Sequence, residues 1–160
     1  MGKLKRFLLP NYCYFITIVV KDRKKLLLDE GIYSIILKDL EFYREKYDYL
    51  LHAYVMMPDH LHLLLSLKEL GNVSIIMRDF KSHTAQMINK ALNRKGTLWQ
   101  QGFYDHVIRD ERDFVKRINY IHKNPVTSEL VEDLEDYKFS SYRNYFMEDD
   151  SLIRIDRLQW

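Results

Sequence analysis

Residues 49–67 read YLLHAYVMMPDHLHLLLSL. Two runs of aromatic, β-branched and leucine side chains flank Met57-Pro58-Asp59. Proline pre-sets φ for a turn and aspartate tolerates turn geometry, so the stretch predicts strand, tight turn, strand. The strands are expected over 49–56 and 60–67. Side chains alternate along a strand, so His60 and His62 share one face of the second of these strands while Leu61, Leu63 and Leu65 occupy the other. Working outward, residues 12–20 (YCYFITIVV) form a strand buried on at least one face. Ile32, Ile35, Ile36, Leu40, Tyr43 and Tyr47 recur at helical spacing and predict a helix over 32–47. Asn72 is the expected N-cap of a long helix presenting Val73, Ile76, Met77, Phe80, Met87, Ile88, Ala91 and Leu92. Residues 103–109 read as a fourth strand. Asp110 then caps a helix expected to run to about Lys123, where Pro125 turns the chain out of helical geometry.

The order is β-α-β-β-α-β followed by a helix. It predicts an α+β fold of the ferredoxin-like split β-α-β kind, an antiparallel sheet with its first and third strands central. Helices are expected on one face, with an additional C-terminal helix beyond the unit. No repeat or Pro/Gly/Ser linker interrupts the chain, so a single domain over 1–160 is expected, with 137–160 as a C-terminal extension. Hydrophobic residues at 47% and charged residues at 30% are those of a globular protein and exclude disorder as a description of the whole. The single cysteine, Cys13, excludes an intramolecular disulfide and any cysteine-based zinc site. No apolar run reaches the length of a membrane helix. The start, MGKLKRFLLPNYCYF, makes a poor signal peptide because its apolar stretch stops at Pro10. A cytoplasmic protein is the expectation.

The net charge of +2 conceals a partition along the chain. Residues 1–25 balance at +6 and residues 78–123 at +5, whereas 26–77 balance at −4 and 124–150 at −6. Two basic segments separated by an acidic one suit a surface that faces a polyanion, if folding joins them; solvated helix faces would give the same pattern.

Two constellations could carry chemistry. Imidazoles one strand pleat apart, as at His60 and His62, can chelate one cation, and Mg²⁺ or Mn²⁺ suits them when oxygen ligands complete the shell. The same spacing also occurs as a plain surface pair on a half-buried strand. In the last helix, Phe114, Ile118 and Ile121 share the apolar stripe, while Tyr120 falls on the flank with Lys116 and Arg117. Asn124, four residues on, lies on the same helix face as Tyr120. An exposed tyrosine with no chemical role has the same signature.

Several segments occur together in a fixed order: AYVMMPDHLHLL (53–64), FKS (80–82), WQQGFYDHVI (99–108), YIHKNPV (120–126) and SSY (140–142). In combination the chain resembles the REP-associated tyrosine transposases, relatives of the single-tyrosine insertion-sequence transposases among the HUH endonucleases. The resemblance spans about residues 10–146. It implies that His60 and His62 are metal ligands and that Tyr120 is the nucleophile. Asn124 stands where insertion-sequence relatives place a glutamine, which makes it the implied third ligand of a Mg²⁺ or Mn²⁺ ion. Thr127-Ser128-Glu129-Leu130-Val131 departs from the Arg-Ala-Gly-Leu-Val often found there.

The implied reaction is transesterification on single-stranded DNA at hairpin-forming repeats, through a 5′-phosphotyrosine link. Lys81, Arg109, Lys116, Arg117 and Lys123 are the expected phosphate contacts. Trp99, with Phe103 and Tyr104, could stack on unpaired bases, although core packing explains an aromatic equally well. His106 and His122 are candidate general bases. The resemblance leaves open a monomer with its tyrosine in cis and a homodimer that exchanges tyrosine helices. A non-catalytic, domesticated nucleic-acid-binding module on the same fold is the alternative, and a water-using metallohydrolase is a third.

Overall fold

The computed structural model describes residues 12–68 and 71–157. Four strands, β1 (Tyr12–Val19), β2 (Leu50–Met57), β3 (His60–Leu67) and β4 (Tyr104–Val107), form one antiparallel sheet in the order β2-β3-β1-β4. The first and third strands are central, as the element order predicts. Between the strands lie α1 (Glu30–Tyr47) and α2 (Val73–Ala91); α3 (Glu111–Thr127) and the short α4 (Tyr142–Phe146) follow. Single-turn 3₁₀ segments occupy Lys21–Arg23 and Leu134–Asp136.

Local chemistry sets the helix starts. Asp29, Asn72 and Asp110 each accept a hydrogen bond from the backbone N–H three residues on, at 2.9, 3.1 and 2.8 Å, satisfying donors that a helix N-terminus leaves open. Pro125 does not end α3, which continues to Thr127 with the proline buried inside it. A proline this close to the C-terminus removes one donor and leaves the last carbonyls usable. Asn124 and Pro125 still accept from Ser128 and Leu130, both at 2.9 Å. Asn124 therefore stays on the helix one turn beyond Tyr120.

The sheet has two unlike faces. Ile16, Ile18, Leu61, Leu63 and Leu65 pack against Ile36 and Leu40 of α1 and Ile76 and Phe80 of α2 in one buried cluster. Cys13, Phe15, Val55 and Leu64 point the other way and meet Phe114 and Ile121 of α3. The tyrosine-bearing helix is thus a second layer, on the face opposite α1 and α2. Burial within that layer pushes the Cys13 thiol up to about 12, with hydrogen bonding to Ser66 opposing the rise, which leaves it inert. A bulge at His52, between Leu51 and Ala53, brings the His52 ring within 5.4 Å of Phe114 on the α3 face. The outer edge of β2 is covered by residues 139–141: Met56 N–H donates to the Phe139 carbonyl at 3.0 Å and Ser141 N–H to the Tyr54 carbonyl at 2.9 Å.

Candidate active site

β1 and β3 are neighbours in a register that sets Thr17 opposite His62 and Val19 opposite His60. Alternation then brings Phe15, Thr17, His60 and His62 onto the α3 face at one end of the sheet. The two imidazole rings lie 4.7 Å apart between centroids. His60 Nδ1 meets Asp59 Oδ1 at 2.6 Å, and Asp59 Oδ2 is held by Arg23 Nη1 at 3.3 Å. Burial pulls the Asp59 carboxyl up, but the hydrogen bonds and charge of His60 and Arg23 outweigh it, so Asp59 titrates below the usual carboxylate range. The Asp59 contact fixes the proton on Nδ1 and turns the His60 Nε2 lone pair outward. His62 Nδ1 pairs with the Thr17 hydroxyl at 2.8 Å. Burial, then the charges of His60 and Arg23, push the His62 imidazole down to about 3, which keeps it neutral and able to ligate.

Phe15 organises the rest. His62 stacks on it at 5.2 Å, and Tyr120 meets it edge-on at 5.8 Å. Tyr120 also meets His62 edge-on at 5.3 Å within the same chain. The Arg117 guanidinium lies over the Phe15 ring, 5.0 Å from its centroid. Tyr120 remains 50% exposed, so a substrate can reach it. Asn124 is 7% exposed. Its Oδ1 and the Nε2 of His62 are both buried with no hydrogen-bond partner. A buried polar atom without a partner is costly, and each such exception calls for an explanation, of which a bound ion or water is one.

Two imidazole nitrogens and an amide oxygen fit a hard divalent cation whose remaining positions go to water and phosphate oxygens. Among the described residues no group of three His, Cys, Asp or Glu side chains forms a metal set, so a site built on the two imidazoles would need a donor of another kind, and an amide oxygen is one that suits a hard cation.

The expected DNA contacts divide. Lys116 and Lys123 are exposed on α3 and form no ion pair among the described residues. Arg109 is exposed and bound loosely to Asp113, at 3.4 Å. Arg117 is partly buried, with its Nε 3.5 Å from Asp113 Oδ1. Lys81 is already engaged within the fold. Its ammonium donates to the carbonyls of Gln100, at 2.9 Å, and Gly102. Trp99 cannot stack on a base, because it is 4% exposed with its indole N–H on Thr84 at 3.0 Å. Tyr104, 56% exposed beside Phe15, is a second accessible aromatic at the site besides Tyr120. Of the two further histidines, His106 is tied to buried Asp113 at 2.8 Å. His122 faces away from Tyr120 into the C-terminal segment, bonded to Ser141 Oγ at 2.8 Å. Phe15, Thr17 and Arg23 were not foreseen. Phe15 and Thr17 do sit two apart on one strand, the spacing that places them on one face, but nothing in YCYFITIVV distinguishes that face from the core.

Residues 9–124 match the family described as "Transposase IS200 like". The chain belongs to this family. Among its relatives is a protein of Haemophilus influenzae (strain ATCC 51907 / DSM 11121 / KW20 / Rd) named for the REP-associated tyrosine transposases. It is 30% identical over 155 residues, covering 89% of this chain and 86% of the relative. A REP-associated tyrosine transposase of Escherichia coli (strain K12) is 24% identical over 144 residues, covering 89% and 83%. A solved structure of a REP-associated tyrosine transposase bound to a REP hairpin superposes with a TM-score of 0.73 at 24% identity, covering 93% of this chain and 86% of that one. A transposase-like protein from Deinococcus radiodurans superposes with a TM-score of 0.52 at 22% identity, covering 69% and 88%. Membership of the IS200-like transposases makes the chain an enzyme of the tyrosine-transposase class, with the family's mixed α+β fold. No helix among the described residues is long and apolar enough to cross a membrane.

Proposed function

We propose that this IS200-like transposase nicks and rejoins single-stranded DNA with Tyr120 as nucleophile. His60, His62 and Asn124 hold the divalent cation, Mg²⁺ or Mn²⁺. The observation that carries the reading is the contact of the half-exposed Tyr120 ring with His62 of its own chain, at 5.3 Å. The Tyr120 hydroxyl oxygen attacks the scissile phosphorus in line. The bond from phosphorus to the 3′ oxygen breaks, that oxygen leaves as a 3′-hydroxyl carrying a proton, and the 5′ phosphate stays joined to the tyrosine. Attack by another 3′-hydroxyl reverses the exchange, so no nucleotide cofactor is consumed. The cation, when bound, stabilises the charge that builds on the phosphate oxygens.

The remaining steps belong to the chain's own side chains. Asp59 and Thr17 orient the two imidazoles. Phe15 holds His62 and Tyr120 against one another. Lys116, Lys123 and Arg109 draw the backbone of the strand to the face beside Tyr120. On this reading the tyrosine acts in cis, which its contact with His62 supports. A hairpin-forming repeat is the proposed substrate, by analogy with the relative whose structure is described as bound to a REP hairpin.

Tyr120→Phe is expected to abolish covalent protein–DNA adducts on labelled hairpin DNA carrying a single-stranded flank, without weakening binding in a gel-shift titration. Cleavage retained in that variant would overturn the assignment. Cleavage that never leaves protein on the DNA would favour a water-using hydrolase.

A further inference from the structure

The segment between β1 and α1 carries Lys21, Arg23, Lys24 and Lys25, all exposed. It wraps the turn that launches β3. Val20 N–H donates to the Asp59 carbonyl at 2.8 Å, and Leu27 N–H to the Pro58 carbonyl at 2.9 Å. At its tip Asp22 and Arg23 both adopt left-handed backbone, with φ of 58° and 53°, a conformation that residues other than glycine take at a cost. That turn delivers Arg23 Nη1 to Asp59 Oδ2 at 3.3 Å, while the other carboxylate oxygen contacts His60 Nδ1 at 2.6 Å. One carboxylate is therefore shared between a guanidinium and an imidazole. The Arg23 side chain is 62% exposed and that of Asp59 only 18%, so the arginine can swing away and the carboxylate cannot.

We propose that Arg23 couples the DNA strand to the cation site: a backbone phosphate takes the guanidinium from Asp59 and thereby tightens the metal centre. The inference rests on the metal-centre reading above. An Arg–phosphate contact is charge-assisted and can be bidentate, and the Arg23–Asp59 contact is a single one at the long end of the hydrogen-bond range. Lys21, Lys24 and Lys25 form no ion pair among the described residues, and they attract the strand to the same turn. Once released, Asp59 serves His60 alone. It then polarises the imidazole more strongly and raises the donor power of Nε2, as carboxylates behind ligating histidines do. By linkage the cation must tighten the strand by the same factor. The cutting centre is in this way strongest only when a strand is present.

The test uses the full chain carrying Tyr120→Phe, so that bound DNA stays intact. Mn²⁺ binding is measured by electron paramagnetic resonance, with and without a short single-stranded oligonucleotide. Phosphate oxygens that ligate the ion directly strengthen binding in every variant, so the DNA-free comparison decides. Arg23→Gln is expected to raise DNA-free Mn²⁺ affinity several-fold and to shrink the gain that the oligonucleotide adds. Asp59→Asn is expected to weaken Mn²⁺ by about 10- to 100-fold, with or without DNA and with an unchanged circular dichroism spectrum. Arg23→Gln that leaves DNA-free affinity unchanged, or lowers it, would overturn the coupling while leaving the metal centre standing. A parent protein that binds no Mn²⁺ would overturn the metal centre and the coupling together.

Discussion

On the face that α1 and α2 cover, β3 contributes Leu61, Leu63 and Leu65; on the face that α3 covers, the same strand contributes His60, His62, Leu64 and Ser66. The first layer is hydrocarbon packed on hydrocarbon and carries most of the apolar burial that holds the fold together. The second is a thinner apolar cluster with buried polar groups set into it. Some of these are fully matched, such as His52 between Ser66 Oγ and the Asp156 carbonyl, both at 2.6 Å. Others are not: the His62 Nε2 and Asn124 Oδ1 atoms are buried without partners. Such atoms lower stability, and they persist where a site needs them. The contrast separates the face that supplies stability from the face on which the proposed chemistry sits.

The sharpest break in that contrast pairs two neighbours on β3. Leu63→Ala is expected to cost about 2–5 kcal/mol, the range for truncating a buried leucine, and to leave adduct formation per folded molecule unchanged. His62→Leu is expected to do the reverse, abolishing adducts and Mn²⁺ binding while thermal stability changes little, because removal of the unmatched Nε2 offsets the loss of the Nδ1 contact with Thr17. Chemical denaturation and adduct assays on both variants check this. A strongly destabilised His62→Leu would erase the distinction between the faces.

The next effect is on the pH dependence of stability. Burial lowers the His52 imidazole below its ordinary 6.5, opposed only in part by the hydrogen bond to Asp156 and its charge. Ser66, Asp156 and the Phe114 ring are the groups that meet it. Below pH 6.5 the unfolded chain binds a proton that the folded chain refuses, so stability is full above that value and is lost as pH falls beneath it. His52→Gln is expected to reduce the slope of this part of the profile, the rest of which belongs to the buried His62 and His122 imidazoles, measured as melting temperature against pH. An unchanged profile would show that His52 does not titrate with folding.

The smallest effect separates exposed lysines from a committed one. Lys116→Gln and Lys123→Gln should each weaken DNA binding evenly across sequences and reduce the salt slope by roughly 0.7–0.9, with no change in melting. Lys81→Gln should lower melting by releasing the 100–102 loop and leave the salt slope alone. Equal slopes for all three would return Lys81 to the DNA surface.

Much of this was legible in the order of residues. The alternation of His60-Leu61-His62-Leu63 shows which side chains share a face, and Asn72 and Asp110 mark helix starts by their own chemistry, whereas the cap at Asp29 and the start of α1 at Glu30 emerge only in the structure. Other features were not. Trp99 and Lys81 look alike as core or surface until Thr84 closes on the indole and the carbonyls of Gln100 and Gly102 close on the ammonium. Pro125 reads as a stop, yet the carbonyls behind it find donors and carry the helix on to Thr127.

By itself the sequence determined the strands, the caps at Asn72 and Asp110 and the sharing of one strand face by the two imidazoles, because each depends on neighbours within a few positions along the chain. Only the tertiary structure decided that α3 lies on the side opposite α1 and α2, that Phe15 gathers Tyr120, His62 and Arg117, and that Arg23 reaches Asp59. Those contacts join residues 36 to 105 positions apart, and local periodicity holds no information about which distant surface a given face will meet.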